Sequence, residues 1–260
     1  MFTLDCDRAY LHAHPERELA PDETRRYDEA LARRSTGVPA QYITGHQEFW
    51  GMDFIVSPAV LIPRPETEHV VEAVLELARP KIVEQRAASP VIVDVGTGSG
   101  AIALALAKEL PTAQIHATDI SPQALEVARA NAARHELTSR IEFHQGDLLD
   151  GFPPASLDFV VSNPPYVGSS EEDSVQLEVR KFEPREAVFA GPTGLEVIER
   201  LIPQAHRVLR PGNWLVFEIS GTIADRVLAQ LSGWDEVALR NDLQGIARVA
   251  IARRPFHLSS

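Results

Sequence analysis

Four consecutive residues, Asn163-Pro164-Pro165-Tyr166, carry the most specific chemistry in the chain. Two prolines in a row fix φ and remove two backbone donors, which leaves carbonyl oxygens to accept. The Asn163 side-chain oxygen and the Pro164 backbone oxygen form a rigid acceptor pair suited to the two hydrogens of a planar NH2 group. Such a nitrogen delocalises its lone pair and is a poor nucleophile. Acceptors that engage both hydrogens as it pyramidalises stabilise the transition state selectively. Tyr166 offers an aromatic face to cover the planar group and hold it in line with an electrophile. Taken alone, a proline-stiffened turn explains the same residues, so position in the chain decides.

A second constellation lies upstream. Gly96-Thr97-Gly98-Ser99-Gly100 follows a β-branched run and opens a helix, where free N–H groups and a partial positive charge meet a ligand. Asp119 stands nineteen residues beyond Gly100, at the end of the next strand, placed to accept both hydroxyls of an adenosine ribose. Gly146-Asp147-Leu148 follows the third strand. Asp147 is expected to accept from an adenine amino group, with the Leu148 N–H donating to the ring. The glycine loop indicates adenosine without saying which cofactor. The acceptor loop narrows it, because an NH2 nucleophile held in line is matched by the methyl of a sulfonium, as in S-adenosylmethionine. No strong base is required, since the nitrogen acidifies as the bond forms. The candidate cofactor site is thus Gly96, Thr97, Gly98, Ser99, Gly100, Asp119, Asp147, Leu148 and Asn163. The candidate substrate site is Asn163, Pro164, Pro165 and Tyr166, with Asn163, Pro164 and Tyr166 catalytic.

These loops need a scaffold that brings them to one crevice. From Pro90 onward, strands at Val91–Val95, Ile115–Thr118, Ile141–His144, Phe159–Ser162 and Trp214–Glu218 alternate with helices at Ala101–Leu110, Pro122–His135, Gly194–Leu209 and Ile223–Leu231. That alternation predicts an α/β fold, a doubly wound seven-stranded, mostly parallel sheet. Its ligands bind outside the carboxyl ends of the strands. Val237–Arg240 and Val249–Ala252 close the chain around a short Asn241-Asp242 turn, which predicts one antiparallel edge strand. Upstream, Thr3–His14 and Asp22–Ser35 read as two polar helices. Gln47–Val60 reads as a hairpin about Gly51, and Ile62-Pro63-Arg64-Pro65-Glu66 starts a helix to about Ala78. The expected organisation is a helical region over 1–46, a hairpin linker over 47–65 and a catalytic domain over 66–260.

Composition excludes other classes. Apolar residues make up 44% and charged residues 24%, the balance of a globular protein. The longest apolar run, Ala101 to Ala107, is far short of the ~20 residues that span a bilayer. With one cysteine, Cys6, no internal disulfide forms and a cytoplasmic setting is the expectation. Lys+Arg 25 against Asp+Glu 37 gives a net charge of −12, which repels phosphate backbones and argues against stable nucleic-acid binding. A monomer is the expectation for want of an exposed apolar face. His12 and His14 alternate on a helix and point to different faces, so no metal site is expected. Arg64 reads equally as a partner for a cofactor carboxylate or as a helix-start charge. Glu183 reads as structural, and Glu218 as packing near the crevice without a chemical role.

Taken together, Asp94-x-Gly96-Thr97-Gly98-Ser99-Gly100, Asp119 and Asn163-Pro164-Pro165-Tyr166 resemble the class I S-adenosylmethionine methyltransferases that modify planar amino groups. Three further segments narrow the resemblance: Tyr42-Ile43-Thr44-Gly45-x-x-Glu48-Phe49-Trp50-Gly51, Leu61-Ile62-Pro63-Arg64-Pro65-Glu66-Thr67-Glu68 and Arg180-x-Phe182-Glu183-Pro184. With them the chain, from about residue 10 to 253, is similar to the release factor glutamine methyltransferase family (PrmC, historically HemK). The resemblance implies a Rossmann-like methyltransferase domain and N5-methylation of the glutamine in the Gly-Gly-Gln loop of class 1 peptide-chain release factors. It also implies that Gly96–Gly100 and Asp119 hold the methionine and ribose, and that Asn163 touches both cofactor and glutamine amide. Two departures accompany it. The family's helical bundle begins some twenty or more residues earlier, so a helix or more is expected to be missing here. The adenine-side position, often aromatic in relatives, is Leu148. Other readings of the same residues remain: a methyltransferase for adenine N6 or guanine N2 in nucleic acid, an NAD-dependent oxidoreductase on Gly96-x-Gly98-x-x-Ala101, or a nucleotide-sensing module. The first needs a basic channel, the second a proton relay, and the third has no use for Asn163.

Overall fold

The computed structural model of the chain describes residues 2–83 and 89–256; residues 1, 84–88 and 257–260 of the expected domains lie outside the described residues. The chain opens with α1 (Arg8–Ala13), α2 (Pro21–Ser35) and α3 (Ala40–Thr44), followed by the hairpin β1 (His46–Phe49) and β2 (Met52–Ile55). An extended linker and a 3₁₀ turn at Pro65–Thr67 lead into α4 (Glu68–Val83). The sheet domain then runs β3 (Val91–Val95), α5 (Ala101–Glu109), β4 (Gln114–Asp119), α6 (Pro122–Arg134), β5 (Ile141–Gln145) and β6 (Leu157–Ser162). A short parallel pair, β7 (Val167–Gly168) and β8 (Phe189–Gly191), brackets α7 (Leu177–Phe182) and α8 (Arg185–Val188). The chain ends with α9 (Glu196–Val208), β9 (Leu209–Glu218), α10 (Ala224–Gln230), β10 (Asp235–Asn241) and β11 (Ala247–Arg253).

Seven strands form one sheet in the order β10-β11-β9-β6-β3-β4-β5. Strands β9, β6, β3, β4 and β5 pair in parallel, and β11 runs antiparallel to both its neighbours. The reversed strand is therefore internal, which corrects the expectation of an antiparallel edge. Burial explains the order. Val249, Ala250, Ile251 and Ala252 of β11 are all buried, so the strand needs neighbours on both sides. By contrast β10 alternates half-buried and exposed positions and takes the edge. A layer around Val70, Val74, Leu104 and Leu106 covers one face, and one around Leu201, Val208, Ile223 and Val227 covers the other.

The N-terminal helices are built differently. No residue of α1 is buried, and Glu23 is the sole buried residue of α2. Asp7 caps α1 by accepting from the Tyr10 N–H at 2.6 Å, and Glu23 accepts from the Ala20 N–H at the start of α2. Their ties to the sheet domain run through α3 and the linker and directly from α2 to α7. The buried Tyr42 hydroxyl donates to the Val60 carbonyl at 2.6 Å, and Arg34 pairs with Glu178 of α7 at 2.7 Å. The hairpin is shorter than expected, turning at Trp50-Gly51 and ending at Ile55. Asn131 of α6, fully buried, serves its exposed edge like a missing strand. Its Oδ1 accepts from the Ile55 N–H, while its Nδ2 donates to the Ile55 carbonyl and to the Ser99 carbonyl of the glycine loop.

Candidate active site

The β3–α5, β4–α6, β5–β6 and β6–β7 connections all leave the carboxyl ends of parallel strands. They meet at a crevice of about 340 Å³ lined by Gly96, Thr97, Gly98, Ser99, Asp119, Gly146, Asp147, Leu148, Asn163 and Pro165. Gly96 and Gly98 have φ of 70° and 55°, and a Cβ on either would meet nothing within 4 Å. Bare backbone therefore faces open room, as a ligand cradle requires. Gly100 sits elsewhere: a Cβ there would lie 2.7 Å from Leu104 Cδ1 and 3.3 Å from Ala128 Cβ. It permits α5 and α6 to approach and is not a lining residue.

Asp119, buried at the end of β4, accepts from the Gly98 N–H at 2.8 Å and the Ser121 N–H at 2.9 Å. Both bonds aim its carboxylate across the loop, although burial holds its pKa above the ordinary value. Asp94 lies at the base of the same loop. Its Oδ2 accepts from the Thr97 hydroxyl at 2.6 Å and the Ala103 N–H at 3.2 Å, whereas its Oδ1 is buried without a partner. Burial pushes this carboxyl up to about 7. A buried acceptor left open beside a glycine cradle suits a ligand that carries a cationic donor, and the ammonium of S-adenosylmethionine fits that description. In the loop after β5, the Leu148 carbonyl accepts from the Thr118 hydroxyl at 2.8 Å, and Leu148 holds a φ of 53°. The Asp147 carboxylate is ion-paired with Arg200 of α9, a partner absent from the sequence reading.

The other end of the crevice is a side-chain relay. Glu218, at the end of β9 and 2% exposed, accepts from the Thr67 hydroxyl at 2.6 Å and from the Tyr166 hydroxyl at 2.9 Å. Thr67, at the end of the 3₁₀ turn before α4, in turn accepts from Asn163 Nδ2 at 3.0 Å. A hydroxyl has one proton, and that of Thr67 is committed to the carboxylate. Asn163 must then present NH2 to Thr67, which leaves its Oδ1 for a ligand. Glu218 therefore sets the acceptor orientation that the sequence reading assigned to Asn163, and the expectation that it has no chemical role is replaced by an orienting one. Burial holds the Glu218 carboxyl above its ordinary value and, with the neighbouring Glu218 charge, pushes Tyr166 upward too.

Pro164 is buried, and Tyr166 does not line the first crevice. It lines an adjoining cavity of about 660 Å³ with Arg64, Glu66, Glu218 and Arg248. The Asn-Pro-Pro-Tyr loop is thus a partition between two spaces. Arg64, at the N-cap of the 3₁₀ turn, ion-pairs with the buried Glu183, which also accepts from the Ile62 N–H at 3.1 Å. That pair joins the Ile62-Pro63-Arg64 and Phe182-Glu183-Pro184 segments.

A parallel sheet of this order, a glycine loop answered by an acidic strand end, and an acceptor loop at the next strand define an S-adenosylmethionine-dependent methyltransferase. Family comparisons agree: residues 80–181 match the methyltransferase small domain, and residues 1–45 match the PrmC N-terminal domain. The chain is 56% identical over 256 residues to the release factor glutamine methyltransferase of Koribacter versatilis, covering 98% of this chain and 89% of that protein. It is 49% identical over 212 residues to that of Moorella thermoacetica, covering 82% and 72% respectively. Among solved structures, the hMettl16 catalytic domain in complex with a 3'UTR hairpin superposes with a TM-score of 0.59 at 18% identity, over 98% of this chain and 94% of that one. The chain belongs to the release factor glutamine methyltransferase family. No helix among the described residues is long and apolar enough to cross a membrane.

Proposed function

We propose that the chain transfers a methyl group to the side-chain amide nitrogen of the glutamine in the Gly-Gly-Gln motif of class 1 peptide-chain release factors. The single observation that carries the reading is the relay that ends on Asn163, because it prepares an acceptor for an NH2 group and for little else. S-adenosylmethionine, when bound, supplies a sulfonium methyl. Gly96 to Ser99 would hold its amino-acid part, Asp119 its ribose, and Asp147 with Leu148 its adenine. The glutamine amide would approach from the cavity on the Tyr166 side. Asn163 Oδ1 and the Pro164 carbonyl accept its two hydrogens, so the lone pair leaves conjugation and turns toward the methyl. As the N–C bond forms and the C–S bond breaks, the nitrogen sheds one proton to water. Pro165 and Tyr166 confine the amide between the two spaces.

A net charge of −12 supports a protein over a nucleic acid as substrate, and the enzyme is taken to act as a monomer. The test is mass spectrometry of an unmodified release factor incubated with the enzyme and S-adenosylmethionine, beside parallel reactions with ribosomal RNA and DNA. One methyl on the Gly-Gly-Gln peptide, lost with Asn163→Ala, is the expected result. Label in nucleic acid and none in that peptide would overturn the substrate assignment.

A further inference from the structure

We propose a divalent transition-metal site on the edge of the sheet, formed by His116 of β4 and Glu142 and His144 of β5. The strand register places His116 opposite Glu142 and Thr118 opposite His144. Residues two apart on a strand share a face, so Glu142 and His144 project together beside His116. Their ligand atoms converge. His116 Nδ1 lies 3.0 Å from His144 Nε2 and 3.4 Å from Glu142 Oε2, and His144 Nε2 lies 3.7 Å from Glu142 Oε1. Ligands around a tetrahedral zinc with bonds near 2.05 Å stand about 3.3 Å apart, so the three atoms need only small adjustments to share one ion. Two imidazoles and one carboxylate suit zinc, cobalt, nickel or copper(II) and are a poor match for magnesium or calcium. The third ligand, Glu142, is exposed, which leaves an entry path and an open position for water.

The rings are not loose surface groups. Phe152 packs edge-on against both, with centroids 5.6 Å from His116 and 5.5 Å from His144, and the two histidines stand partly buried on rigid strands. The site also lies just below the adenine-side loop: Thr118 donates to Leu148, and the Gly146 N–H donates to the Asp119 carbonyl at 3.1 Å. A bound ion would pin β5, which has a neighbour on one side only, to β4 at the base of that loop.

The test uses the chelator-treated full chain, titrated with zinc by calorimetry and with cobalt by visible absorption, and needs no methyl transfer. One equivalent is expected to bind, with the absorption bands of four-coordinate cobalt, while magnesium produces no heat. His144→Gln and Glu142→Gln, both at accessible positions, should each weaken zinc binding about tenfold or more. His46→Gln, which removes an unrelated histidine paired with Asp53, should leave it unchanged. At a zinc concentration of 100 Kd the folded-to-unfolded ratio rises about 100-fold in the parent chain and not in His144→Gln. Zinc heats that are the same in the parent and His144→Gln, or that vanish with His46→Gln, would overturn the site. The 3.0 Å contact would then be an N–H···N hydrogen bond between the two imidazoles.

Discussion

The two ends of the crevice are made by opposite means. The proposed cofactor end is backbone and short range: Gly96, Gly98 and Asp119 sit on consecutive strand ends, and the Gly98 N–H itself orients the acid. The proposed amide end is side chain and long range. Thr67, Asn163, Tyr166 and Glu218 come from segments up to 151 residues apart and meet through three hydrogen bonds. A cradle of N–H groups tolerates small shifts, because its charge is spread over several peptide dipoles. A relay of single protons does not, since each donor fixes the direction of the next. The cofactor end should therefore fail gradually and mainly in binding, and the amide end abruptly and mainly in turnover.

Substitutions can break that contrast at either end. Asn163→Ala is expected to cost about 10²–10³ in kcat while the cofactor Kd changes little, because an acceptor aimed at developing charge is lost. Steady-state kinetics with cofactor titration would check both parts. Asp119→Ala should instead raise the cofactor Kd about 10–100-fold with a smaller change in kcat, by loss of hydrogen bonds to a charged group. Removing the Arg64 guanidinium tests how the linker is held. Arg64→Ala leaves Glu183, which is 7% exposed, without its cation, and should cost about 2–3 kcal/mol in denaturant unfolding. Thr67→Val interrupts the relay without touching either cavity's charge. It should lower kcat about tenfold and spare cofactor affinity, and Thr67→Ser should restore most of the rate. A last prediction concerns Asp94 and pH. Its folded pKa of about 7 exceeds the ordinary 3.8, so the folded chain binds that proton more tightly. Its contribution to stability is full below pH 3.8 and is lost as pH rises through 7. Thermal unfolding of the cofactor-free chain between pH 5 and 8 should show a decline in Tm that Asp94→Asn removes.

The same contrast decides what a reader can extract from the sequence. The glycine loop, Asp119 and the Asn-Pro-Pro-Tyr loop announce themselves because each is contiguous or lies one strand from its partner. The sheet strands also read directly from their β-branched runs. The reversed strand β11 was legible as antiparallel but not as internal. Its continuous burial from Val249 to Ala252 held the clue, and the short turn at Asn241-Asp242 drew attention to the edge instead. Glu218 looked inert because nothing local in β9 points to Thr67 or Tyr166. Thr67 itself sat inside a segment read as a helix start. The Arg64–Glu183 pair was equally hidden, with 119 residues between partners whose meeting depends on the fold. His116, Glu142 and His144 show the same lesson in reverse. The i, i+2 spacing that separates two side chains on a helix brings Glu142 and His144 to one face of a strand.

The central claim is that Glu218, as a carboxylate, orients Asn163 through Thr67. The pH dependence of kcat at saturating cofactor and release factor tests it most directly, in the parent chain and in Glu218→Gln. Burial raises the Glu218 pKa above 4.5, and a protonated Glu218 can donate to Thr67 and release the direction of the relay. The account predicts an acid limb in the parent profile, with kcat falling as pH drops through that raised value. It predicts a lower plateau without that limb in Glu218→Gln. The same limb and the same plateau in both proteins would contradict it.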